Sequence, residues 1–231
     1  MHKSIIGAVE FNLFGIPYIG ADICGFFGDT TEEMCGRWME VGAFYPYSRN
    51  HNTLGAADHD PGLWPSVAAA GRAALTIRYT LLPYLYTLHH LAATQGHSVI
   101  RPLFFEFPNT SATWGVDDQF LWGPWLMVAP VLDQDLVARN VYFPPATWYD
   151  YHTGQAVEGT DTTHQVAAPL SHVPLYVRGG GILVTQRPHA NTMLSRREPL
   201  GLVVASSESG AAQGFFYWDD GEAIGECSFM C

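Results

Sequence analysis

Positive charge is what this sequence has least of. Lys and Arg number 11 against 22 Asp and Glu, a formal net charge of −11, and charged residues fill only 14% of the 231 positions. With no Lys/Arg run anywhere, nucleic acid is excluded as a partner. No apolar run reaches the roughly 18–20 residues of a membrane-spanning helix. The opening "MHKSIIGAVEFNLFGIP" lacks the long apolar core and small-residue cleavage site of a signal peptide. It reads instead as a helix entered midway: Ile5, Ile6, Val9 and Leu13 fall at helical spacing with no capping residue before them, so Met1 is not expected to be the natural start of a domain. Repeats and low-complexity linkers are absent. The four cysteines include no Cys-x-x-Cys and no matching His pair, which argues against zinc. "WDDGE" (218–222) lacks the alternating acidic ligands of a calcium loop and predicts a hairpin turn at Asp220–Gly221. No metal or cofactor is expected.

What is present is apolar and aromatic. Hydrophobic residues make up 48% of the chain, enough for a sizeable core. "GIPYIGAD" (15–22) reads as a short buried strand through Ile16, Tyr18 and Ile19. Thr30 with Glu33 forms a capping-box signature for a helix whose apolar face is Met34, Cys35, Trp38, Met39 and Gly42. "FYPYSRNHN" predicts a second short strand. A long helical stretch follows over 66–95, with Leu75, Tyr79, Leu82, Leu85 and Leu88 inward, a kink or break at Pro83 and a stop at Gly96. Strand, helix, strand, long helix is the rhythm of a parallel α/β unit. Beyond Gly96, "WLMVAPVL", "NVYFP", "TWYDY", "VPLYVRGGGILV", "LGLVVAS" and "GFFYW" are β-type runs between turn signals. They predict an antiparallel sandwich without intervening helices, with a boundary near Arg101–Pro102. Trp64, Tyr79, Tyr84, Tyr86, Trp122 and Trp125 are assigned to the core.

Three constellations carry chemistry. Asp22 follows a strand, where α/β folds bind ligands, although an aspartate there also serves as a turn cap. "SRNHN" (48–52) crowds a cation, two amides and an imidazole at a second strand end; it reads as a pocket wall or as a solvated loop. Cys24 and Cys35 fit a disulfide worth about 2–3 kcal/mol of loop entropy, or two buried thiols. Asn109-Thr110-Ser111 is a glycosylation sequon that matters only in a secretory compartment. Cys227 and Cys231 stand in a tail without further pattern.

These residues carry a resemblance. "GIPYIGADICGFFGDTTEEMCGRWMEVGAFYPYSRNHN" resembles glycoside hydrolase family 31, on its lysosomal acid α-glucosidase and intestinal maltase/sucrase branch. "RYTLLPYLYTL", "RPLFFEFP", "QFLWGPWLMVAPVL", "WYDYHTG", "PLYVRGGGIL" and "FFYWDDGE" look like the family's later landmarks in the right order. The match runs from roughly Ser4 to Gly225. The cysteine pair and Arg49-Asn50-His51-Asn52 favour that branch over the endoplasmic-reticulum glucosidase, which typically lacks the cysteines and reads Arg-x-His-x-His. The resemblance implies a Cys24–Cys35 disulfide and passage through an oxidising secretory compartment, towards lysosome or cell surface.

It also implies a fold and a gap. The fold expected is α/β plus all-β: residues 1–102 the last two strands and helices of a (β/α)8 barrel, 103–187 a proximal β-sandwich, and 188–231 the start of a truncated distal one. Family members are retaining enzymes with a nucleophile in a Trp-x-Asp-Met-Asn-Glu type motif and an acid/base in a Gly-Asp-Asn type motif. Neither motif occurs here, so no catalytic residue is assigned and both are expected upstream, in a missing N-terminal part of the same enzyme. By resemblance Asp22, Phe26 and His51 contact the sugar, and Arg49 supports neighbouring carboxylates. The expected function is that of a fragment, inactive alone, of an α-glucosidase acting on terminal α-1,4 and α-1,6 bonds of maltose- or glycogen-type chains. The alternatives are a non-catalytic carbohydrate-binding remnant and an α-xylosidase fragment.

Overall fold

The computed structural model describes residues 1–222. It opens with helix α1 (His2–Leu13), which buries Ile5, Ala8, Val9 and Asn12. Ile5 and Val9 are inward as their spacing predicts, whereas Ile6 is half-buried and Leu13 exposed. Asn12 is the polar anchor of this face. Its Oδ1 accepts from Val99 N at 3.0 Å and Ile100 N at 3.2 Å, tying α1 to strand β3 (Ile100–Arg101).

The strand predicted over 15–22 shrinks to β1, Asp22–Ile23. Gly15 turns the chain with φ +82, and Ile16 and Tyr18, read as inward, are exposed. Among the described residues β1 pairs with β2 (Arg49–Asn50) alone. The pairing is parallel, with Asp22 opposite Arg49 and Ile23 opposite Asn50. Just before β1 the two chains run so close that a Cβ on Gly20 would stand 1.8 Å from Tyr47 O. Glycine is therefore required there.

Between these strands lies α2 (Glu32–Gly42). Its cap is Thr31, one residue later than the capping box predicts. Thr31 is extended, and its Oγ1 accepts from Met34 N at 3.2 Å. Cys35, Met39 and Gly42 are buried and Trp38 half-buried as expected; Met34 is exposed. The long helix is broken rather than kinked. Helices α3 (Pro65–Thr80) and α4 (Leu82–Gln95) meet at Leu81, two residues ahead of Pro83, and Gly96 ends α4 in the left-handed region at φ +73. This agrees with the exclusion of proline from helix interiors. Leu85 and Leu88 are buried, while Leu75, Tyr79 and Leu82 are half-buried.

Beyond Gly96 the sheets are antiparallel, as the turn-punctuated runs predict. With β3, strands β4 (Phe120–Trp122), β5 (Leu126–Val128), β7 (Trp148–Asp150) and β9 (Leu175–Arg178) form one sheet in the order β3-β4-β5-β9-β7. Two separate two-stranded ribbons accompany it: β6 (Ala138–Phe143) with β8 (Thr162–Ala167), and β10 (Gly181–Gln186) with β11 (Leu200–Ala205). Contrary to the helix-free expectation, short helices α5 (Leu103–Glu106) and α6 (Thr192–Ser195) interrupt the strands.

"GFFYW" forms no strand. It is drawn onto α4 instead: Tyr217 N donates to Thr87 Oγ1 at 3.1 Å, and the Tyr217 ring stacks on His90 at 3.6 Å. At the expected hairpin Gly221 adopts φ +80 and its N–H donates to Asp219 Oδ1. The second arm, like Cys227 and Cys231, lies outside the described residues. Of the aromatics assigned to the core, Tyr84 and Trp122 are buried and Trp64, Tyr79 and Trp125 half-buried, but Tyr86 is exposed because its hydroxyl reaches out to Asp219 Oδ2.

The core is continuous across the expected boundary at 101–102, joining Ile5, Phe44, Tyr45 and Leu81 to Trp122, Leu126 and Leu175. Buried hydrogen bonds stitch the same seam: Trp122 Nε1 donates to Phe44 O at 2.6 Å and Tyr84 Oη to Trp122 O at 2.7 Å. No helix among the described residues is long and apolar enough to cross a membrane.

Candidate active-site wall

The site is assembled at the ends of β1 and β2. Their parallel register sets Asp22 beside Arg49, so the two side chains emerge together at one end of the pair. Arg49 Nε donates to Asp22 Oδ1 at 3.1 Å, and Nη2 donates to the same oxygen. That hydrogen bonding holds the guanidinium above its ordinary pKa, with the Asp22 charge adding to it. Both contacts fall on Oδ1, leaving Oδ2 without a donor among the described residues. The pair thus fixes the direction of one carboxylate and leaves one of its oxygens available.

The loop after β1 carries the second element. Cys24, at the non-glycine φ of +74, and Cys35, in the first turns of α2, are bonded to each other with Cα atoms 4.4 Å apart. The bridge pins the strand end to the helix, as the resemblance implies. Just past it stands Phe26, whose ring lies 5.7 Å from that of His51, tilted by 32°. Phe26 and His51, from two different loops, form one wall.

A third segment folds over these two. Thr53 N donates to Phe26 O at 2.9 Å, Ala57 N to Asp29 Oδ1 at 2.8 Å and Asn52 Nδ2 to Ala57 O at 2.8 Å. Asn50 Nδ2 donates to His59 O at 3.2 Å and approaches Cys24 Sγ at 3.4 Å. Asn50, His51, Asn52, Asp58, His59 and Asp60 thereby line one cavity of about 480 Å³. Asn50 and His59 were not singled out from the sequence. The signal for Asn50 lay in the polar run Ser48–Asn52. His59 was hidden between two aspartates in what reads as a solvated loop.

The four site residues taken from the sequence therefore fall in two contacting pairs, Asp22–Arg49 and Phe26–His51, on adjoining parallel strand ends. Asn109 lies elsewhere, exposed in the turn after α5. Chemically the wall offers a half-buried carboxylate, an exposed imidazole, carboxamides and an aromatic face, an inventory suited to a neutral, hydroxyl-rich ligand.

Comparison with known proteins gives this arrangement its context. Residues 1–88 match the glycosyl hydrolases family 31 TIM-barrel domain, and 96–183 match the glycosyl hydrolase family 31 C-terminal domain. The chain is 52% identical to human "Probable maltase-glucoamylase 2", over 96% of this chain and 9% of that protein. It is 45% identical to bovine "Lysosomal alpha-glucosidase", over 93% of this chain and 25% of that protein. A crystal structure of the glucosidase II alpha subunit superposes with a TM-score of 0.90 at 33% identity, covering 94% of this chain and 24% of that one. The chain thus spans between a tenth and a quarter of the length of these relatives. With two family domains matched in order, it belongs to glycoside hydrolase family 31.

Proposed function

We propose that this chain supplies one wall of the glucose-binding subsite of a retaining α-glucosidase and acts as part of a longer polypeptide. The observation that carries the reading is the parallel β1–β2 pair, with Asp22–Arg49 and Phe26–His51 at its ends. Ligands of barrel folds sit at such strand ends. In this reading β1 and β2 are the last two strands of a (β/α)8 barrel, within 1–102. The antiparallel sheets of 103–187 form the proximal sandwich, and 188–231 begins a distal one.

Asp22 and His51 hydrogen-bond sugar hydroxyls, Phe26 covers the ring, and Arg49 holds Asp22 in register. Their contribution is to orient the sugar and stabilise positive charge developing at its anomeric carbon. Cleavage with retention needs two carboxylates about 5–5.5 Å apart. The family's motifs for them are not in this sequence, so the remainder of the enzyme supplies them. Two features support a further part of the same enzyme packing here. A parallel pair is ordinarily buried within a larger sheet, and the segments leading into and out of β1 expose the large apolar side chains Phe11, Phe14, Ile16, Tyr18 and Phe27. The substrate class is terminal α-1,4 and α-1,6 glucosides of maltose or glycogen type. The Cys24–Cys35 bond and the exposed Asn109 sequon fit a secretory route, ending in the lysosome or at the cell surface.

The test replaces the corresponding segment of bovine lysosomal α-glucosidase with this chain. The secreted chimera is expected to hydrolyse maltose, and Asp22→Asn and His51→Ala each to lower kcat/KM at least about a hundredfold, the scale of a lost transition-state contact. The chain alone is expected to give no turnover of a chromogenic α-glucoside. Turnover by the chain alone, or a chimera indifferent to both substitutions, overturns the reading.

A further inference from the structure

Trp114 is the only exposed tryptophan among the described residues, at 65%, and its ring is held in place. Its Nε1 donates to Pro108 O at 3.0 Å. The loop that carries both residues is pinned from within. Thr110 N donates to Phe107 O at 3.1 Å, and the buried Thr113 reaches Thr110 O at 2.8 Å and Phe107 O at 3.1 Å through its Oγ1. Together with Pro108 and the exposed Phe104, Trp114 lines an open cleft of about 350 Å³. Contiguous exposed apolar surface of this kind ordinarily has an occupant. Exposed aromatics alone do not name it, because the rest of the enzyme offers one as well. The attachment point does. The carbonyl that orients the indole belongs to the peptide bond leading into Asn109. Asn109 and Ser111, the first and third positions of the Asn-x-Ser sequon, are both exposed on this same loop.

We propose that Asn109 carries an N-linked glycan whose first N-acetylglucosamine lies against the indole of Trp114 and covers the cleft. The proposal rests on the secretory route in the reading above and extends it to the surface of the β-rich half. The sugar donor is a lipid-pyrophosphate-linked oligosaccharide. As Asn109 Nδ2 attacks the anomeric carbon, an N–C1 bond forms and the C1–O bond to the pyrophosphate breaks. The bonding pair leaves with the lipid pyrophosphate, the carboxamide gives up one proton to the medium, and nothing is oxidised or reduced. The first sugar is one bond from Nδ2, so it stays close to the loop that fixes the indole. A pyranose presents C–H bonds on its faces and hydroxyls around its rim. The C–H face suits the electron-rich face of an indole, while the rim stays in water. That division matches a cleft made of two aromatic side chains and a proline and open on one side.

The test uses the same chimera, expressed in mammalian cells. Glycopeptide mass spectrometry is expected to find Asn109 occupied, and Ser111→Ala, which keeps the asparagine and destroys the sequon, to abolish that occupancy. Hydroxyl-radical footprinting then reads the contact. Oxidation of Trp114 is expected to rise about twofold in Ser111→Ala, since the sugar covers one of the two faces of the ring. Enzymatic trimming of the glycan to its first N-acetylglucosamine is expected to leave the protection intact. An unoccupied Asn109 overturns the proposal. So does a Trp114 equally protected in Ser111→Ala, which means that another part of the enzyme covers the cleft, and so does one equally oxidised in all three forms, which means that the glycan stands clear of the ring. Both measurements are made on cell-associated protein if the chimera is retained. Maltose hydrolysis, with Asp22→Asn alongside, reports separately on the sugar site. An active chimera with Asn109 empty removes this proposal alone, and an inactive one with Asn109 occupied and Trp114 protected removes the sugar-site reading alone.

Discussion

Arg37→Met is expected to loosen the seam between α2 and the β-rich half more than any other single change on that helix. The Arg37 side chain is 3% exposed and that of Glu40 2%. The guanidinium donates to Leu136 O at 2.6 Å, Ala168 O at 3.0 Å, Pro169 O at 3.3 Å and Glu40 Oε2 at 3.2 Å. Glu40 Oε1 in turn accepts from Ser171 N at 2.6 Å. Methionine fills the volume of the stem and satisfies none of these acceptors. Removing one member of a buried pair leaves an uncompensated charge and costs about 3–5 kcal/mol.

The loss depends on pH in a direction the structure sets. Burial raises the Glu40 pKa, with the Arg37 charge and hydrogen bond partly opposing. A carboxyl whose folded pKa lies above its unfolded value contributes stability that is complete below the unfolded value and lost as pH rises through the folded one. Deleting Arg37 removes the opposing cation, lifts Glu40 further and widens that window upward from pH ~4. The deficit of Arg37→Met is therefore largest near pH 7.5 and shrinks towards pH 4.5, where Glu40 is increasingly neutral. Adding Glu40→Gln recovers part of it at pH 7.5 and little at pH 4.5. Urea unfolding followed by tryptophan fluorescence at both pH values measures this. A deficit under about 1 kcal/mol at pH 7.5, well below the range for a broken buried pair, or one equal at both pH values, refutes the reasoning.

Two further outcomes follow from the site's scaffold. Replacing Cys24 and Cys35 together by serine is expected to cost about 2–3 kcal/mol, the loop entropy of the short bridged segment, measured by the same unfolding transition; an unchanged midpoint would mean that the segment is ordered without its bridge. Gly20→Ala forces a Cβ to 1.8 Å from Tyr47 O, so the 3.0 Å bond from Tyr47 N to Ile19 O must open. The expected cost is about 2 kcal/mol or more, with lost chimera activity, and a variant as stable and active as the parent would show that β1 and β2 tolerate separation.

How much of this was legible in the sequence differs between the halves of the chain. The β-rich half announced itself because its runs are dense in Val, Leu, Tyr and Trp and are punctuated by Pro and Gly. The barrel-like half was misread wherever the deciding contact was distant or a single torsion away. Thr30 and Thr31 are equivalent in composition, and only the extended backbone at Thr31 makes it the cap. Ile16 and Tyr18 alternate as a half-buried strand would, but among the described residues β1 pairs with β2 alone, and β2 begins at Arg49, opposite Asp22. On α3 the buried face is Val67, Ala70, Gly71 and Ala74. These small residues admit Met39 of α2, whose Cε would stand 3.1 Å from a Cβ on Gly71, and no large-residue periodicity marks them. "GFFYW" has strong β propensity and forms no strand because His90 and Thr87 of α4 hold Tyr217.

The candidate site shows the same division and gives it a cause. Asp22, Arg49 and His51 were visible because they adjoin strand ends, where local pattern and position coincide, whereas Phe26 came only from the family resemblance. His59 was not visible, because it stands between two aspartates; the contacts that hold its backbone carbonyl come from Asn50 and Cys35, nine and 24 positions away. β1 and β2 share only a two-residue ladder, too little backbone bonding to fix three loops to the tolerance that recognition of a sugar demands. The disulfide and the Asn50 carboxamide make up the deficit from outside the ladder. A single covalent staple therefore orients Phe26 on one side and, through Asn50, His59 on the other. Its loss should degrade ligand geometry before it unfolds the chain, raising KM in the chimera at temperatures where the serine variant is still folded.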